Sequence, residues 1–70
     1  MALYIDTCSY NDYDTVVRFL LNHQVEILSR NKMKMIVSAE MSADLANQMQ
    51  DECDFEEAIS IGEKPLGGEE

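Results

Sequence analysis

Apolar and polar residues alternate along parts of this chain and recur at helical spacing along others. In Ala2 to Cys8, ALYIDTC, Leu3, Ile5 and Thr7 fall on one side and Tyr4 and Asp6 on the other, the period of two expected for a half-buried strand. From Tyr13 the spacing changes. Tyr13, Val16, Val17, Leu20 and Leu21 form one stripe of a helix, with Phe19 on its flank. Asn11 is the expected cap, Asp12 and Asp14 fill the first turn, where carboxylates complement the helix dipole, and Asn22 and His23 end the helix.

Alternation returns in Val25 to Ala39, VEILSRNKMKMIVSA, which predicts a hairpin turning over Ser29 to Lys32, with Asn31 the residue expected to take a positive φ. One face would carry Val25, Ile27, Met33, Met35, Val37 and Ala39 toward the core. The other would carry Glu26, Leu28, Arg30, Lys32, Lys34, Ile36 and Ser38. Leu28 and Ile36 make that second face unusually apolar for one turned to water. Ser42 then caps a second helix with Asp44 in its first turn and a thin stripe of Leu45, Ala46, Met49 and Cys53. Phe55 to Ile61, FEEAISI, reads as a last strand, and Gly62 to Glu70 as a flexible tail without periodicity.

Strand, helix, strand, strand, helix, strand is the order of a split βαβ unit. The expected fold is α+β and ferredoxin-like: a four-stranded antiparallel sheet, order 4-1-3-2, with two helices on one face. Residues 1–61 make the single domain and 62–70 the tail. The competing arrangement extends the first helix through Val25 to Leu28 and gives an α-helical hairpin; the β-branched, alternating residues on both sides of SRNK favour strands. In element order and length, residues 2–61 resemble the propeptide-type inhibitors of subtilisin-like proteases. That resemblance is one of topology and implies a sandwich fold, not a function; no motif is shared and KPLGGEE is unlike a substrate-like inhibitory tail.

Charge changes the picture most. Fourteen acidic residues against five basic ones give a net charge of −9 in 70 residues. Phosphates would be repelled, so nucleic acid is not an expected partner; the sequence points to a protein with a basic surface. Three of the five cations, Arg30, Lys32 and Lys34, sit in the predicted hairpin, where lysines also protect a sheet edge from pairing. Asp51, Glu52 and Asp54 crowd the end of the second helix, where negative charge opposes the dipole.

Candidate chemistry is sparse. One histidine and two cysteines, Cys8 and Cys53, cannot complete a tetrahedral zinc site unaided, and no Gly-rich phosphate loop is present. No catalytic residue, metal or cofactor is expected. Two cysteines without a CxxC pair, and no apolar run of membrane-spanning length, suggest a reducing, cytoplasmic setting. The functional expectation is a non-catalytic module that docks to and regulates or inhibits a macromolecule. A viral (phage-type) host-interaction protein or a DNA mimic would fit that description. Its docking surface would be Asp51, Glu52, Asp54, Glu56 and Glu57, with Leu28, Ile36, Arg30, Lys32 and Lys34 as a second patch. The alternative is a homodimer assembled through the sheet, or a protein binding a small ligand at such a seam.

Overall fold

A computed structural model describes residues 1–63; Lys64 to Glu70, most of the expected tail, lie outside the described residues. The chain runs β1 (Ala2–Asp6), α1 (Tyr10–Asn22), β2 (Glu26–Asn31), β3 (Ile36–Glu40), α2 (Ala43–Glu52) and β4 (Ser60–Gly62). The four strands form one antiparallel sheet in the order β2-β3-β1-β4. Leu3 and Ile5 of β1 and Val37 and Ala39 of β3 alternate onto the face that meets the helices. There they pack with Tyr13, Val16, Val17, Phe19 and Leu20 of α1, Ala46 and Met49 of α2, and Met41. Ile5, Val16, Leu20, Val37 and Met49 are fully buried at the centre of this core.

Each helix starts on a serine. Ser9 Oγ accepts from Asp12 N–H at 3.1 Å and Ser42 Oγ from Leu45 N–H at 3.1 Å. The cap of α1 is therefore Ser9 and not Asn11, because the Ser9 hydroxyl, two residues earlier, already accepts from Asp12 N–H and starts the helix at Tyr10. At the far end His23 is the C-cap and Gln24 takes φ 57°. Val25 N–H reaches Leu20 O and Gln24 N–H reaches Leu21 O, the paired bonds of a Schellman motif with glutamine where glycine is usual. Phe19, expected on a flank, is buried and stacks on the His23 ring at 4.0 Å, whereas Leu21, expected on the stripe, is exposed.

The hairpin departs most from expectation. Its turn is Lys32 to Met35 rather than Ser29 to Lys32. Asn31 stays in β2 and its side-chain carbonyl accepts from Lys34 N–H at 3.1 Å; the positive φ falls on Met35, at 59°. A carboxamide that caps the turn from its first position has no need to enter the left-handed region itself. Met33, expected in the core, is thereby carried to the tip and is 87% exposed. The predicted alternation also breaks inside β2. Ile27 opposes Ala39, but Ser29, not Leu28, opposes Ser38, so Leu28 is the extra residue of a bulge. Arg30 consequently falls opposite Val37, in a row of core-facing positions, while its own side chain stays exposed at the sheet edge. The last strand is only Ser60–Gly62, so Phe55 to Ile59 are not strand and Gly62, expected in the tail, pairs with Tyr4.

Candidate functional site

The five carboxylates expected to form a docking surface are all exposed. Asp51 and Glu52 occupy the last turn of α2, which holds no basic residue; Asp54, Glu56 and Glu57 follow in the connection to β4. Gln48 Nε2 donates to Glu52 at 2.7 Å. The N-terminal ammonium pairs with Glu40 at 2.7 Å, at the far end of the sheet from these carboxylates.

This acidic connection is held by Asp12, expected only as a partner of the helix dipole. Asp12 is 1% exposed, and its two carboxylate oxygens accept the backbone N–H groups of Glu56 and Glu57 at 2.8 and 3.0 Å. Beside it, Asn11 Nδ2 donates to Glu56 Oε2 at 2.9 Å. A buried carboxylate is costly unless it is fully hydrogen-bonded, and these charge-assisted bonds supply that compensation. They also fix the backbone from which Glu56 and Glu57 project. The signal was present in the sequence: Asp12 precedes Val16, Phe19 and Leu20 by four, seven and eight residues, the spacing of the buried face itself.

The second predicted patch is divided. Leu28 is 47% exposed on the bulge of edge strand β2, while Ile36 is half-buried between Asn31 and Asp6. Arg30, Lys32 and Lys34 are exposed at or beside the hairpin turn. That turn lies at the same end of the sheet as the acidic connection. Asp6 pairs with Ile36 on one side and Ser60 on the other, Thr7 donates to Met35 O through both N–H and hydroxyl, and Asp12 binds Glu56 and Glu57. Tyr10, 54% exposed, begins α1 at this end next to Asn11.

Compared with protein families, curated proteins and solved structures, the chain has no match. Its chemistry therefore rests on its own side chains. Cys8 and Cys53 are free thiols. Cys53 packs partly against the core, and burial first, then the adjacent Glu52 carboxylate, pushes its thiol pKa up. His23 sits before β2, at the opposite end of the strands from Cys8, so the two are not placed to act as a nucleophile and base. Among the described residues no three His, Cys, Asp or Glu side chains are placed to share a metal ion, and no helix is long and apolar enough to cross a membrane.

Proposed function

We propose that this chain is a small, acidic, non-catalytic module that docks to a basic surface on a protein partner and thereby regulates or inhibits it. The observation that carries this reading is the seven-residue run Asp51 to Glu57. It offers five exposed carboxylates on a backbone clasped at Glu56 and Glu57 by buried Asp12. A charged surface that is already ordered loses less conformational freedom on binding than a mobile acidic segment would. The same arrangement suits mimicry of nucleic-acid phosphates toward a basic protein. We read the architecture as the ferredoxin-like split sandwich. The element order supports this, as does the strand order, which taken from the β4 edge is 4-1-3-2.

The test is capture of basic proteins from the producing cell by the wild type and by a variant with Asp51→Lys, Asp54→Lys and Glu57→Lys. The wild type should retain a discrete partner at about 100 mM salt and release it near 1 M, as screening shortens to a few ångströms. The variant should retain none. Equal capture by both proteins, or capture indifferent to salt, would overturn the acidic-surface reading.

A further inference from the structure

The hairpin tip is the least explained feature of the molecule. Met33 is 87% exposed, the most exposed of the large apolar side chains among the described residues, and Lys32 beside it and Arg30 at the end of β2 are exposed cations in a protein of net charge −9. A surface that fits such a tip must offer anionic groups around an apolar contact. The molecule carries one at the same end: exposed Tyr10, whose neighbour Asn11 hydrogen-bonds Glu56, and the connection that holds Asp54, Glu56 and Glu57.

The strand order gives these two features a definite relation. The tip lies on the β2–β3 side of β1 and the acidic connection on the β4 side. The edge strands are three strand spacings, roughly 14 Å, apart. A two-fold axis perpendicular to the sheet, placed at this end, exchanges left and right. It sets the tip of one copy against the acidic connection of the other, twice. A two-fold axis lying in the sheet would oppose tip to tip and acid to acid, which is repulsive. We infer that a second copy of this chain docks end to end through this surface, Arg30, Lys32 and Met33 of one protomer meeting Tyr10, Asp54 and Glu57 of the other. The bulge at Leu28 interrupts edge strand β2 and disfavours the alternative, edge-to-edge extension of the sheet. This inference rests on the acidic-surface reading and names a partner for it.

Sedimentation velocity on the full chain tests it. The wild type should show a reversible monomer–dimer equilibrium at high micromolar concentration near 0.15 M salt and be monomeric near 1 M. Two variants, Arg30→Glu with Lys32→Glu, and Asp51→Lys with Asp54→Lys and Glu57→Lys, should each be monomeric, with circular dichroism showing that each is folded. Mixed together they should form a one-to-one dimer, because one contact is restored with reversed polarity and the other is the native one, while both chains keep a net negative charge. A wild type that stays monomeric, variants that dimerise like the wild type, or a mixture that fails to associate would each overturn the inference. Binding of decalysine, measured in parallel on the wild type and the acidic-surface variant, separates the two readings. A monomeric wild type that still binds decalysine through Asp51, Asp54 and Glu57 sinks the dimer and leaves the acidic surface standing.

Discussion

At the scale of single residues, Asp12 links the fold to the proposed surface. Asparagine in its place keeps one acceptor but turns an amide donor toward a backbone N–H. Asp12→Asn should therefore lower stability by about 2 kcal/mol in urea titration. It should also speed amide hydrogen exchange at Glu56 and Glu57 ahead of the core strands. Unchanged exchange at those amides would mean that the clasp does not hold the loop. The two thiols give a second residue-level prediction. Cys8 is exposed, whereas Cys53 is partly covered and its thiol pKa is raised, by burial and then by Glu52. A raised pKa leaves less thiolate at a given pH, so iodoacetamide should modify Cys8 first at pH 8. Alkylation of Cys53 should accelerate only at higher pH, and Glu52→Gln should shift that rise toward lower pH, as peptide mass spectrometry would show.

At the scale of elements, the C-terminus of α1 stores a correctable strain. Gln24 is exposed and sits at φ 57°, where a side chain costs about 1 kcal/mol. Gln24→Gly should raise stability by up to that amount, less the added freedom glycine brings to the unfolded chain, and thermal unfolding would register it. Elements of this kind also show what the sequence could and could not reveal. Most of the helix stripes and the shared core face of Leu3, Ile5, Val37 and Ala39 follow from periodicity, because burial on one face enforces it, and Ser42 is legible as a cap from its hydroxyl. The hairpin turn was misplaced by three residues because alternation through MKMIV is equally regular inside and outside the strand. Only the Asn31 side chain, bonding forward to Lys34, decides where β2 stops. The bulge at Leu28 leaves no trace in the polar–apolar pattern, and it moves Arg30 out of its expected row. For the candidate site, the exposed carboxylates were legible as charge, but their anchoring was not. It depends on a contact between Asp12 and residues more than forty positions away.

At the scale of the whole molecule, charge is distributed unevenly rather than merely in excess. Five carboxylates, the exposed cations of the hairpin and two exposed apolar side chains, Met33 and Tyr10, gather at the end where β1 finishes. Glu26 and Glu40 mark the other end, and the N-terminal ammonium offsets Glu40 there. A binding function built on this asymmetry predicts local recognition, with net charge assisting encounter at long range. Titration of the isotope-labelled protein with decalysine, followed residue by residue through its amide NMR signals, tests this most directly. The account predicts saturable shifts concentrated at residues 51–57, weakened by salt and abolished by Asp51→Lys, Asp54→Lys and Glu57→Lys. Shifts spread evenly over Asp14, Glu26, Glu40 and Asp44 as well, or centred on the sheet face around Leu28 and Ile36, would contradict it.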